Sequence, residues 1–146
     1  MSLFDSLSVS ASGMSAQRFR TELLAQNIAN SETTRTDEGG PYRHKDAVFQ
    51  SATVAGPFSS AFQSSMDAPL SGVAVSEIQV DDKEPIRRYM PGHPDADEKG
   101  YVSFPNFSPI EEMVDLMNAS RSFGANVTAM NAVKDMISKS IDLVRG

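Results

Sequence analysis

The densest run of potential ligands in this chain is Asp95-Ala96-Asp97-Glu98-Lys99-Gly100, which begins like the calcium loop of an EF-hand. Such a loop needs oxygen ligands at its fifth position and a bidentate carboxylate at its twelfth. Here those positions hold Lys99 and Asn106, so a cation would meet an ammonium group and lack its clamp. The run reads as a solvated turn. His44 and His93 are the only histidines, too few for a metal site, and they stand on loops flanked by glycine and proline. A cell-wall glycan hydrolase would need two carboxylates facing a cleft. Glu111 and Glu112 are adjacent, but their place at a helix start explains them better, and no core large enough to carve a cleft is evident. No glycine-rich phosphate loop or Gly-x-Ser-x-Gly elbow occurs. Cysteine is absent, which removes thiolate nucleophiles, thiolate zinc sites and disulfides. The chemistry-bearing residues thus point away from an enzyme and require no cofactor.

Composition narrows the classes further. The chain has 146 residues, enough for one small domain or a small domain with long arms. A net charge of −6, with no basic cluster larger than Arg87-Arg88, argues against a nucleic-acid partner. The longest apolar run is a few residues, so no membrane-inserted helix is expected. The start, Met1-Ser2-Leu3-Phe4-Asp5, lacks the basic and apolar regions of a cleaved secretion signal, and taken alone this points to the cytoplasm. A chain that must travel unfolded would gain from having no thiol to mispair.

The elements that must position these residues follow from the helix breakers. Seven of eight prolines and six of nine glycines fall between Gly39 and Pro105, leaving both ends nearly free of them. Ser108-Pro109-Ile110-Glu111 reads as a capping box with proline at the first helical position. Glu111, Glu112 and Asp115 follow, where negative charge complements the helix dipole. From there Met113, Leu116, Ser120, Phe123, Val127, Met130, Lys134, Ile137, Ile141 and Val144 recur at helical spacing. The amino-terminal stripe is Phe4, Leu7, Ala11, Met14, Ala25 and Ile28, interrupted by Arg18 and Thr21 and flanked by Leu3 and Leu24. Its serines compete for backbone partners, so this helix is expected to be marginal when unsupported.

The expected fold is mainly α, with a small β-rich or irregular middle. A helix over 1–30 and a long one over 108–146 would form a coiled-coil-like pair and pack into a helical assembly. The middle, 31–107, contains strand candidates at 47–49, 73–80 and 101–104, and a flexible Ser/Ala/Gly/Pro-rich insert at 51–72. The helices could run antiparallel or parallel. Large apolar side chains are worth roughly 1.5 to 3 kcal/mol each when buried, and the middle is too small to cover both stripes. Val114, Met117, Val133 and Met136 add further apolar flank on the second helix. Other chains are expected to cover what remains.

The segment Gly13-Met14, continuing at Leu24-Ala25-Gln26-Asn27-Ile28-Ala29-Asn30-Ser31-Glu32-Thr33-Thr34, resembles the signature of the flagellar rod, hook and hook-associated protein family. Pro41-Tyr42-Arg43 is similar to the element that follows it in rod members. Gly92-His93-Pro94-Asp95-Ala96-Asp97, Gly100-Tyr101-Val102, Glu112-Met113-Val114-Asp115-Leu116 and Ala125-Asn126-Val127 extend the likeness, while 51–72 does not match. Two positions depart from it: Phe123 stands where tyrosine is usual, and Gly124 where a charged residue is common. The resemblance implies a structural subunit of the proximal rod in the flagellar basal body. It also implies passage through the flagellar type III export apparatus without a cleaved signal peptide, to a periplasmic destination. Partners would be copies of itself, other rod proteins, and adaptors of the MS ring and export gate. Packing between subunits is expected at Phe4, Leu7, Met14, Leu24, Ile28, Met113, Leu116, Phe123, Val127, Met130, Ile137, Ile141 and Val144. Asn27 and Asn30 could simply end the first helix or could also bond a neighbouring subunit. A non-flagellar coiled-coil adaptor or secretion-needle subunit would share the helices but has no reason to carry the Asn27–Asn30 and Gly92–Asp95 motifs.

Overall fold

The computed structural model describes residues 3–53 and 71–145. The side chains of Phe4 and Val144, and most of the 51–72 insert, lie outside the described residues; the ends of that insert are strand rather than loop. In chain order the elements are α1 (Leu3–Ala29), β1 (Lys45–Thr53), β2 (Ser71–Val80), β3 (Ile86–Tyr89), β4 (Tyr101–Phe104) and α2 (Pro109–Arg145). β1 and β2 form an antiparallel ribbon with a bulge after Val48, where Ser76 is the extra residue. β3 and β4 form a separate antiparallel hairpin.

The two helices pack antiparallel. Asn27 meets Glu112, Arg20 lies 3.8 Å from Asp115, and a Cβ on Gly13 would sit 3.1 Å from Nδ2 of Asn126. The inner line on α1 passes through the buried Ala16, Leu23, Leu24 and Asn27 and the half-buried Gly13. On α2 it passes through the buried Glu112, Ala119 and Val133 and the half-buried Asn126, a strict seven-residue spacing. Both lines sit one residue to the side of the apolar stripes expected from the sequence. The contact combines small residues, which let the backbones approach, with Leu23, Leu24 and Val133 and the polar pair Asn27 and Glu112. Of the expected stripe on α2, Leu116, Val127, Met130 and Ile137 are half-buried at the edge of the seam, while Met113, Phe123 and Ile141 are exposed. Val133, expected on the outer flank, is buried instead.

Ser12 is accommodated in α1 because its hydroxyl finds a local acceptor. Ser12 Oγ donates to the Val9 carbonyl at 2.7 Å and accepts from the Val73 backbone N–H at 3.1 Å. That second bond lays the β1–β2 ribbon along α1, which is thus covered by α2 and the ribbon together. α2 has no such cover: among the described elements it packs on α1 alone. It begins as expected at Pro109, with Ser108 accepting the first helical bond from Glu112 N–H through its carbonyl rather than through the reciprocal side-chain bonds of a capping box. At 37 residues it runs roughly 55 Å. No helix among the described residues is long and apolar enough to cross a membrane.

The two helical glycines differ in what surrounds them. A Cβ at Gly13 presses on Asn126, whereas nothing lies within 4 Å of one at Gly124. Gly124→Ala is expected to stabilise the fold by about 0.5–1 kcal/mol, and Gly13→Val to destabilise it by about 1–3 kcal/mol through overpacking. Urea denaturation of both variants, followed by circular dichroism, checks the opposite signs.

Candidate functional site

The polar centre of the molecule is the side chain of Asn27, which is 0% exposed. A carboxamide can donate two hydrogen bonds and accept two. All four are made inside the chain. Nδ2 donates to the Lys45 carbonyl at 2.9 Å and to Oε2 of Glu112 at 2.8 Å. Oδ1 accepts from the Tyr42 hydroxyl at 3.0 Å and from the Lys45 backbone N–H at 3.1 Å. The other oxygen of Glu112 lies 3.0 Å from His44 Nε2. Phe107 closes the cluster, its ring centroid 5.5 Å from that of His44 and 6.4 Å from that of Tyr42.

Each participant is delivered by a different element. Asn27 is in the last turn of α1, Tyr42 and His44 stand on the segment leading into β1, Lys45 opens β1, and Glu112 is in the first turn of α2. The carboxylate of Glu112 suits a helix N-terminus, where the backbone dipole favours negative charge. Burial, and then the charge of Glu112, raise the Tyr42 phenol above its ordinary value of 10.0, so it stays a hydrogen-bond donor at neutral pH. The two oxygens of Glu112 are engaged by Asn27 and His44.

A second cluster ties the end of α1 to the 93–101 loop. Thr34 Oγ1 donates to Asp95 Oδ2 at 2.7 Å, and Arg35 lies 3.8 Å from the other oxygen. Asp95 N–H in turn donates to Nδ1 of His93 at 3.1 Å. Asp97 uses Oδ1 to accept from the N–H groups of Lys99 and Tyr101, and these bonds hold its carboxyl below the usual carboxylate range. Gly100 turns this loop with φ of 81°, and a Cβ there would lie 3.0 Å from the Tyr89 ring. The Asp95–Gly100 run is thus a hydrogen-bonded turn.

Asn27 and Asn30 have separate roles. Asn27 is wholly enclosed, while Asn30 caps locally: its Nδ2 donates to the Gln26 carbonyl at 2.9 Å and its Oδ1 accepts from Thr33 Oγ1 at 3.1 Å. Leu24 is buried in the seam, and Leu7, Met14 and Ile28 are half-buried on α1. Sequence reasoning missed the joining of Asn27 to Glu112, Tyr42 and His44. Its only signal was a set of polar residues beside apolar stripes with no stated partner.

A family model described as "Flagella basal body rod protein" matches residues 7–35, and one described as "Flagellar basal body rod FlgEFG protein C-terminal" matches residues 98–143. The chain is 44% identical to the flagellar basal-body rod protein FlgC of Bacillus subtilis, over 98% of this chain and 99% of that one. It is 39% identical to FlgC of Borreliella burgdorferi over the whole of both chains, and 35% identical to FlgC of Aquifex aeolicus over 97% of each. The chain belongs to the FlgC family of flagellar basal-body rod proteins. The two segments matched by the family models contribute Asn27 and Glu112 respectively, so the buried amide joins the two matched regions across 85 positions of sequence.

Two outcomes test the cluster. Asn27→Asp sets a carboxylate against that of Glu112 and is expected to cost about 3–5 kcal/mol at pH 7. Urea denaturation of the variant and the parent at pH 7 will measure it. For Tyr42 the folded-state value is raised, so its contribution is complete below the unfolded value of 10.0 and is lost as pH rises through the folded one. Tyr42→Phe is expected to cost about 1 kcal/mol at pH 8 and to make the decline of stability above pH 10 shallower, read by denaturant midpoints.

Proposed function

We propose that this chain is a structural subunit of the flagellar basal-body rod, held in place by the outer face of α2. The observation that carries this reading is that face itself. Ile110, Met113, Val114 and Met117 lie together on the side of α2 turned away from α1, with Ile110 73% and Met117 59% exposed. At the far end Ile141 and Leu143 are also exposed. Apolar surface gathered over successive turns favours association by roughly 25 cal/mol per Å² removed from water.

Membership of the FlgC family supports a basal-body location and assembly with other basal-body components. Within that frame the reading is a proximal-rod subunit in the periplasm, exported by the flagellar type III apparatus without a cleaved signal. Its neighbours are copies of itself, homologous rod proteins, and adaptors of the MS ring and export gate. Terminal helices of successive subunits pack as a helical array, and torque passes through many apolar contacts rather than one. Expected packing residues on α2 are Met113, Leu116, Phe123, Val127, Met130, Ile137 and Ile141, joined by Ile110, Met117 and Leu143; Leu7, Met14 and Ile28 serve on α1. The family relationship favours this over a coiled-coil adaptor or secretion-needle subunit, and a scaffold rather than an enzyme.

Met117→Asp changes an exposed side chain, so the monomer's stability is expected to move by no more than about 0.5 kcal/mol. Export continues, while incorporation into basal bodies and swimming are lost. Soft-agar motility with immunoblots of secreted and basal-body fractions reads both, and normal swimming would count decisively against the packing face.

A further inference from the structure

Four of the chain's eight methionines lie in α2, at 113, 117, 130 and 136. Three are open to solvent: Met113 is 49%, Met117 59% and Met136 48% exposed. Met113 and Met117 are one turn apart and stand among Ile110 and Val114, on the face turned from α1. Met136 lies about 28 Å further along the helix at 1.5 Å per residue, seven positions before the exposed Leu143. Met130, beside the seam, is half-buried, as is Met14 on α1.

The rest of the composition makes these sulfurs chemically conspicuous. The chain has no cysteine and no tryptophan, so no thiol or indole competes for an oxidant. A thioether exposed on a helix surface also needs no unfolding to react.

We propose that conversion of the exposed α2 thioethers to sulfoxide by a hydroperoxide bars the free subunit from the rod, Met113 and Met117 forming one oxidation-sensitive patch and Met136 a separate exposed position further along the helix. The proposal rests on the reading of the outer face of α2 as an assembly face. In the reaction the thioether sulfur attacks one peroxide oxygen. The O–O bond breaks, an S–O bond forms, the sulfur is oxidised by two electrons, and the second oxygen takes the proton and leaves, as water from hydrogen peroxide or as an alcohol from an organic hydroperoxide. The product is a polar side chain with a strong hydrogen-bond acceptor in the middle of an apolar patch. Water satisfies that acceptor in the free subunit, but a neighbour packing over it does not, so the folded subunit tolerates the oxygen and the assembly does not. Within the rod the same sulfurs are covered and spared. Methionine sulfoxide is enzymatically reducible, which makes the block reversible.

The experiment has two arms. In the first, purified protein is titrated with hydrogen peroxide and mapped by peptide mass, each sulfoxide adding about 16 Da. Met113, Met117 and Met136 are expected to convert several-fold faster than Met14 and Met130, with the helical circular dichroism unchanged; equal rates overturn the proposal. In the second, wild-type protein and a variant carrying Met113→Leu, Met117→Leu and Met136→Leu are co-produced in one cell, given a peroxide pulse, and counted in isolated basal bodies. The ratio of variant to wild type is expected to rise about tenfold or more over the unpulsed ratio, the cost of burying uncompensated polar groups. Met90→Leu, at a site 42% exposed on the β3 hairpin, is expected to give no such advantage. An unchanged ratio for the triple variant overturns the proposal even when Met117→Asp is excluded from rods without peroxide. Incorporation of Met117→Asp overturns instead the assembly face on which it rests.

Discussion

A buried carboxamide tolerates only an arrangement in which its two donors and two acceptor positions are all filled. Leaving one such group unmatched costs about 1–3 kcal/mol, and the side chain of Asn27 has four. Its requirement fixes three pieces of the chain at once: the end of α1, the first residue of β1, and the first turn of α2. Much of the remaining architecture follows. With Lys45 held at one end and Ser12 accepting from Val73 at the other, the β1–β2 ribbon lies along α1. With Glu112 held beside the last turn of α1, α2 runs back antiparallel. An apolar seam with a seven-residue repeat could slide by one repeat at modest cost, but a fully paired amide cannot. The polar node therefore specifies the register, a role buried polar groups perform in other helix pairs.

Inside and outside use different residues for a physical reason. Gly13, Ala16 and Ala119 lie where the helices meet, and their small size brings the backbones close enough for Asn27 to reach Glu112 directly. A larger side chain at Gly13 would press on Asn126. Leu23, Leu24 and Val133 are buried beside these small residues, while Ile110, Met113 and Met117 stay on the exposed side. Exclusion of Ile110, Met113 and Met117 from the chain's own seam supplies the surface on which the proposed assembly depends.

Legibility in the sequence tracked how local each signal was. The start of α2 was readable because Ser108-Pro109 is a short-range signal, and β2 and β4 because β-branched and aromatic residues cluster there. β3 is not legible, since Ile86-Arg87-Arg88-Tyr89 is exposed throughout and shows no alternation. The buried helical lines run beside the apolar stripes because a hydrophobic pattern reports where large apolar side chains lie. It is silent about glycine, alanine and a paired asparagine, which share the contact with Leu23, Leu24 and Val133. The Asn27 node was illegible for a related reason. Its members stand at 27, 42, 44, 45 and 112, and only the folded path brings them together.

The same register determines what α2 presents beyond its partner. Asn27 and Glu112 align the end of α1 with the start of α2, so the difference in length, 37 minus 27 residues, appears entirely at the other end. About ten residues, or roughly 15 Å of helix, extend past the first described residue of α1. Ile141 and Leu143 belong to this overhang and are 53% and 83% exposed. An isolated helical end of this length is only marginally stable, because few contacts reward its ordering. In the proposed rod the neighbouring subunit supplies those contacts. An end that projects along the long axis of one subunit onto the next makes a heterologous contact, which propagates instead of closing. A single enclosed amide at one end of the helix pair thereby sets how far the other end reaches.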